Sequence, residues 1–333
     1  MDVEPDLIGI AGAFSPAKVV SEARRHLPHV HVPGMVQDEL KIDGRSVRVM
    51  LTDNASSRSD QIWAINVHGF FAGGAMYARE SALLAEAFGW RVVNPSLPGF
   101  GGSEPLPLTE TTLRHLTDEI ETIVHHYTSG PVLLLGHSMG GLLSINYARR
   151  HPDKVLGLIY RDGVATPAWK DRKGPIAKLL GPLAPETAAL ADLTLSVIAD
   201  VPDLMVGSML STFRTVLPDV RWNLRTAART MPIAQVLFDH DLTKEVKDVV
   251  EAGVPILAEW GCFDRIANAN CAEEFGRVAG TEVHWLPGGH SWMLARPRGQ
   301  VDLLQLPWGE EFMGKVDARR RQLGTNPRLR AVG

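Results

Sequence analysis

Only two cysteines, Cys262 and Cys271, occur in 333 residues. That is too few for a disulfide framework or a thiolate metal site, and two reduced thiols in a reducing compartment are the expectation. No run of about 18 apolar residues occurs, so a membrane-spanning helix is not expected. The acidic start, Met1 to Asp6, lacks the basic flank of a secretory signal. A basic excess is missing too: the net charge of -4 offers no electrostatic case for nucleic acid or an anionic membrane. His26, His29 and His31 have no carboxylate at metal-site spacing, and they read as surface or loop histidines without a metal. Repeats and low-complexity tracts are also absent. These absences leave a cytoplasmic globular chain, in which a homo-oligomer is allowed but no stoichiometry is selected.

A hydrophobic fraction of 45% suits one large domain with an insertion. Gln37 to Asp43 and Arg45 to Thr52 alternate around Asp43-Gly44, a hairpin signal. Strands are then predicted over Ile62–Val67, Arg91–Asn94, Pro131–Leu135, Lys154–Tyr160, Val254–Glu259 and Glu282–Leu286. Helical patterns lie between them over Ala75–Phe88, Thr109–Tyr127 and from the glycine-rich turn to Arg150, then from Asn268, over Met293–Leu304 and over Glu310–Arg321. This alternation predicts an α/β core over 36–163 and 250–333. Residues 1–35 form an N-terminal extension, with a helix capped at Ser15-Pro16. Between 164 and 249 the alternation stops; helical patterns over Pro185–Ala199, Pro202–Val216 and Asp219–Met231 predict a cap over the core. The arginines from Arg319 to Arg330 read as a solvated basic tail.

Chemistry centres on Gly136-His137-Ser138-Met139-Gly140, which follows the apolar strand from Pro131 and precedes a helical pattern. A serine held on a sharp strand-to-helix turn needs near-absent side chains two positions away, which Gly136 and Gly140 supply. A serine hydroxyl also needs a histidine to take its proton and a third group to orient that histidine. Asp264 leaves one predicted strand and His290 leaves the next. Loops at the carboxyl ends of parallel strands share one sheet edge, so Ser138, Asp264 and His290 can converge. Two backbone donors for a developing oxyanion are expected, the N–H of Met139 and that of Phe70 in His68-Gly69-Phe70-Phe71.

Through His68-Gly69-Phe70, Leu97-Pro98-Gly99-Phe100-Gly101-Gly102-Ser103, the Gly136–Gly141 turn, Gly261-Cys262-Phe263-Asp264 and Gly289-His290, the chain resembles the α/β-hydrolase superfamily, in the branch with a helical cap. The resemblance covers about residues 37 to 323. It implies an eight-stranded, mostly parallel, doubly wound sheet with the second strand antiparallel, and no cofactor. Serine at 138 argues against relatives with an aspartate nucleophile. His137, where carbon-carbon bond hydrolases of ring-opened aromatic dienoates usually carry asparagine, turns the expectation toward a carboxylic ester. Many relatives carry aspartate where this chain has Ser96, which leaves the contact made by that acid in question. Some members carry the catalytic acid after the strand that corresponds to 154–160, and through this resemblance Asp162, at its end, is the alternative acid.

The expected partner is a small, largely apolar ester. Leu179, Leu180, Leu190, Leu193, Leu195, Met205, Met209 and Phe213 are apolar cap positions, and Trp292 and Phe71 are candidate pocket walls. Arg221, Arg225 and Arg229 fall along one helix side, which reads as a solvated face; the second reading is that one of them, with Arg225 as the candidate, reaches the pocket and pairs with the carboxylate of a half-ester such as a monoalkyl phthalate. Carbon-carbon cleavage, or a low-turnover ligand receptor on the same fold, are the alternatives.

Overall fold

The computed structural model describes residues 29–53, 61–169 and 209–324. Eight strands form one sheet: β1 (Met35–Ile42), β2 (Arg45–Thr52), β3 (Trp63–Val67), β4 (Arg91–Pro95), β5 (Val132–His137), β6 (Val155–Arg161), β7 (Ile256–Gly261) and β8 (Val283–Leu286). Their order is β1-β2-β4-β3-β5-β6-β7-β8. β2 runs antiparallel to both its neighbours, and the other pairings are parallel. Both features match what the resemblance implied. Asp43 and Gly44 both take positive φ, as the tight hairpin predicted at that dipeptide requires.

Alternation along the buried strands explains the two layers of helices. Val132 and Leu134 of β5 enter one core with Ile65, Val67 and Leu158, while Leu133 and Leu135 enter another with Ala64, Leu156 and Ile159. The first core is covered by α2 (Leu113–Tyr127) and α3 (Met139–Arg150); the second by α1 (Ala78–Phe88) and by the helix over Pro307–Gly324. On α2 the apolar positions Leu113, Leu116, Ile120, Ile123 and Val124 are buried and Tyr127 is half-buried, and Thr112 caps the helix start through the N–H of His115.

β6 and β7 are sheet neighbours, yet nearly a hundred residues separate them, and no strand occurs there among the described residues. That stretch holds α4 (Met209–Asp239) and α5 (Thr243–Glu251). α4 is longer than its sequence pattern suggested, because Pro218 and Pro232 lie inside it rather than at its ends. Each proline removes one backbone hydrogen bond, a cost that tertiary contacts on the buried face offset. α6 (Ala269–Ala279) is capped by Asn268. The helix predicted over 293–304 is instead two, α7 (Trp292–Ala295) and α8 (Gly299–Leu304). Pro297 disfavours helical geometry at Arg296, whose φ of -128° and ψ of 74° end α7. α9 (Pro307–Gly324) closes the described chain.

One surface expectation fails within α9. Arg319 is buried, and its guanidinium donates to the carbonyls of Pro152, Val155, Ala252 and Gly253 at 2.8–3.1 Å. It is a clamp on loop carbonyls, which only a long forked cation can supply. The expected helix over 15–27, the cap helix over 185–199 and the listed cap apolar side chains lie outside the described residues.

Candidate active site

β5 is buried throughout, and at its end the chain turns into α3 through Ser138, at φ 53° and ψ -117°. A residue with a side chain is held there at a cost of about 1–3 kcal/mol, so the surroundings must over-determine it. The neighbouring glycines show how. A Cβ on Gly140 would lie 1.9 Å from the Val67 carbonyl oxygen, and one on Gly136 would meet Ser144 Oγ at 2.7 Å and the Gly140 carbonyl at 2.8 Å. Strand and helix are therefore packed too closely for any larger residue. The Ser138 N–H donates to the Arg161 carbonyl at 3.0 Å, extending the sheet pairing into the bend. Met139 opens α3, so its N–H is among those without an intrahelical acceptor, at the positive end of the helix dipole.

At the neighbouring strand ends, His290 Nδ1 donates to Asp264 Oδ2 at 2.8 Å, with both side chains buried. A carboxylate only accepts, so the Nδ1 proton is fixed and Nε2 is left as the acceptor. Asp264 is held in turn: its Oδ1 accepts from the N–H of Ile266 at 2.6 Å and of Ala267 at 2.9 Å. The His290 ring stands 4.8 Å, centroid to centroid, from that of His137, the neighbour of Ser138.

His137 itself has a different task from the one read in the sequence. Its Nε2–H donates to the His290 carbonyl at 2.8 Å, which leaves Nδ1 to accept from the Tyr77 hydroxyl at 2.6 Å. That hydroxyl accepts from the Gly69 N–H at 3.4 Å. One chain of bonds thus ties the Gly69 loop, the serine turn and the His290 loop. Burial first, then the His290 and Arg161 charges, push the His137 pKa well below the ordinary histidine range, so the tether is neutral. His68 makes a parallel tie: Leu97 N–H donates to its Nε2 at 2.9 Å, so its Nδ1–H donates to the Gly69 carbonyl at 2.7 Å. Burial lowers its pKa to about 4.

The loop after β3 lies against the serine turn. A Cβ on Gly69 would stand 3.1 Å from that of Ser138. Phe70 packs edge-on to Phe100 at 5.4 Å, and Phe71 takes φ 62°. Ser96 fills the place where relatives carry aspartate: its hydroxyl accepts from the Gly74 N–H at 3.0 Å and donates to the Gly101 carbonyl at 3.2 Å. A neutral hydroxyl therefore joins the two loops there.

Two expected substrate contacts are placed otherwise. Trp292 is buried in a cluster with Met76, Tyr77 and Met293, and its indole N–H donates to Asp162 Oδ2 at 2.8 Å. Its polar handle is thereby spent on an acid, not on a pocket wall. Arg225 is exposed, whereas the face of α4 turned to the core carries Trp222, Asn223, Thr226 and Thr230. Arg225 is not brought to the other candidates, because at about 100° per residue a position two after Asn223 and one before Thr226 is turned away from the buried stripe.

Asp162 sits deeper in the site than its sequence position suggested. Its Oδ1 accepts from the Gly261 N–H at 2.8 Å, and ligand-type atoms of Asp162, Asp264 and His290 lie within 4.8 Å of one another. Among the described residues this is the one group with metal-site spacing. The oxygens a cation would need already accept from backbone, indole and imidazole N–H groups, and the arrangement is that of a hydrogen-bonded acid–base cluster. Burial and then the Asp264 charge push the Asp162 pKa well above the carboxylate range. Two carboxyls this close do not both ionise. Asp264, with three N–H donors, is the anion; Asp162, with two, keeps the proton.

Beneath these residues lies a buried charged cluster that sequence reading missed. Arg161 donates to Glu80 at 2.7 Å and to Asn66 Oδ1 at 2.7 Å, and Gln300 links on to Glu259 at 3.0 Å. Burial raises the Glu259 pKa to about 8. The available signal was the charged Arg161 ending an otherwise apolar strand. Arg161→Met is expected to destabilise the fold by about 3–5 kcal/mol, since Glu80 would be left as an uncompensated buried charge. Denaturant unfolding checks this; a loss below about 1 kcal/mol would mean that the Arg161–Glu80 pair does not hold the fold.

The family model described as alpha/beta hydrolase fold matches residues 65–191. The chain is 26% identical over 253 residues to a putative non-heme haloperoxidase of Mycobacterium phage D29, covering 72% of this chain and 85% of that protein. It is 39% identical over 102 residues to a pyrethroid hydrolase of Sphingobium wenxiniae, covering 31% of this chain and only 36% of that enzyme. A thermophilic esterase from Thermogutta terrifontis superposes with a TM-score of 0.57 at 20% identity, over 84% of this chain and 99% of the other. With the strand order, the antiparallel β2 and the strand–serine–helix turn, these likenesses show the α/β-hydrolase fold.

Proposed function

We propose that this chain hydrolyses a carboxylic ester of a small, largely apolar molecule through an acyl-enzyme on Ser138. The observation that carries the reading is the strained Ser138, at φ 53°, on the same sheet edge as a His290 whose Nδ1 is bonded to Asp264 at 2.8 Å. In this reading His290 Nε2 takes the serine proton as the hydroxyl oxygen attacks the carbonyl. The N–H groups of Phe70 and Met139 hold the oxyanion, and His290 returns its proton to the departing alcohol; water then repeats the cycle on the acyl group. The segment 164–249 is the proposed cap, and α4 is its described helix. The esterase and pyrethroid hydrolase names of similar proteins agree with ester chemistry. Arg225, turned to solvent, does not itself support a half-ester preference.

A panel of chromogenic esters varying in acyl length, alcohol and charge, with a ring-opened dienoate included, tests this. Neutral short or medium esters are expected to give a burst approaching one product per chain, followed by steady turnover. Turnover confined to the dienoate would replace the ester reading by carbon-carbon cleavage, and a burst with no turnover would replace it by a receptor.

A further inference from the structure

The face that α4 turns to the core is polar where a simple lid would be apolar. Asp219, Trp222, Asn223, Thr226 and Thr230 recur at three- and four-residue spacing, so they form one stripe, and all are buried. A buried amide or hydroxyl is costly unless it is hydrogen-bonded. Asp219 pairs with Arg48 Nη1 at 3.5 Å and Thr230 bonds within the helix to the Ala227 carbonyl, whereas Trp222, Asn223 and Thr226 reach backbone groups of the Gly69–Ala72 and Pro98–Gly101 loops. Trp222 Nε1 donates to the Gly99 carbonyl at 3.1 Å, and the single Thr226 O–H lies between that carbonyl at 3.1 Å and the Trp222 carbonyl at 3.0 Å. Asn223 alone reaches both loops: its Nδ2 donates to the carbonyls of Phe71 at 2.7 Å and Ala72 at 3.0 Å, and its Oδ1 accepts from the Gly101 N–H at 3.0 Å.

What Asn223 holds is a strained turn. The Ala72 N–H donates to the Gly69 carbonyl at 3.2 Å, closing a four-residue turn in which Phe71, third in the turn, takes φ 62°. A positive φ at that position is the type II pattern, where glycine is the ordinary occupant. A phenylalanine there favours relaxation to the negative-φ form, which would rotate the Phe70–Phe71 peptide plane and shift the turn that carries the Phe70 N–H. The bond to the Phe71 carbonyl opposes that relaxation from a separate, rigid element.

We propose that Asn223 is a positioning residue for the oxyanion loop, holding the Gly69–Ala72 turn in the conformation that aims the Phe70 N–H at the reacting carbonyl. The inference rests on the ester-hydrolysis reading. It makes α4 part of the catalytic framework, so its failure would appear in the chemical step rather than in substrate capture.

The test compares Asn223→Ala, Asn223→Asp and Thr226→Val with wild type, using the best neutral ester and a boronic acid that forms a tetrahedral adduct on serine. Asn223→Asp keeps the acceptor for Gly101 and removes both donors to the turn. Thr226→Val removes the hydroxyl that faces the Gly99 and Trp222 carbonyls and leaves the Gly69–Ala72 turn untouched, and so controls for docking of the helix. Both Asn223 variants are expected to lower kcat by about 10²-fold with KM within about threefold, and to weaken the boronate in parallel, as loss of a positioned donor does. Thr226→Val should stay within about threefold of wild type. Thermal unfolding and far-UV circular dichroism establish that each variant is folded. Equal losses in Asn223→Ala and Thr226→Val, a change in KM alone, or kcat within about threefold of wild type in a folded Asn223→Asp, would overturn the inference. So would Asn223 variants that cannot fold while Thr226→Val can, since the role would then be structural. A wild type that turns over no ester removes the hydrolase reading and this inference together, whereas active wild type with unaffected Asn223 variants removes this inference alone.

Discussion

Ser138→Ala is expected to lower ester turnover by about 10⁴- to 10⁶-fold while leaving the fold intact. The residual rate comes from backbone donors and substrate binding, which the substitution does not touch. Alanine carries the same Cβ as serine and inherits the same strained backbone, at φ 53° and ψ -117°, so its stability should match wild type closely. Glycine separates the two effects. That region of backbone space is open to glycine without steric cost, so Ser138→Gly is expected to be equally inactive yet about 1 kcal/mol more stable than Ser138→Ala. The pair of measurements tests whether the bend is strained for the sake of the hydroxyl. Activity of Ser138→Ala within about tenfold of wild type would remove Ser138 from the chemistry. A Ser138→Gly less stable than the alanine form would mean that the bend is not under strain.

How much of this was legible in the sequence follows from the distance over which each signal acts. The hairpin at Asp43-Gly44, the buried strands and the Gly136–Gly140 turn are local: a glycine demanded by φ or by close packing, or an alternation of apolar residues, is written within a few positions. The Asp264–His290 contact was accessible because parallel strands deliver their following loops to one edge. The tasks of His137, Trp292 and Asn223 were not, since each is defined by a bond across 100 residues or more, to His290, Asp162 and Phe71 respectively. Composition misleads at such places. An indole beside the base reads as an apolar wall, and an arginine in a basic run reads as solvated, as Arg319 did. Helix ends were misjudged for a related reason: Pro218 and Pro232 weaken α4 locally, but the contacts that stabilise it lie on other elements.

The paired acids yield the second large effect. Asp264→Asn alone is expected to reduce kcat/KM by about 10²-fold, and Asp264→Asn with Asp162→Asn by about 10⁴-fold, the loss found when a catalytic imidazole has no anionic partner. Asp162 is neutral in the wild type because it is buried and because the Asp264 charge stands beside it. Replacing Asp264 by a neutral amide removes the second cause and leaves the first, so the Asp162 pKa should fall while remaining above the ordinary carboxylate range. One of its oxygens already lies within 4.8 Å of a His290 ring nitrogen, and once ionised it can stabilise the imidazolium that forms in the transition state. The sign of the pH effect follows: the residual activity of Asp264→Asn should rise with pH as Asp162 loses its proton, and the double variant should lack that rise. Asp162→Asn alone leaves the Asp264–His290 bond in place and should cost no more than about tenfold, mainly through the altered acceptor for Trp292 Nε1–H. Measured kcat/KM across the four-member cycle decides the matter, because a second acid held in reserve makes the two losses non-additive. A single Asp264→Asn as inactive as the double variant, with no rise toward alkaline pH, would show that Asp162 serves only to anchor Gly261 and Trp292.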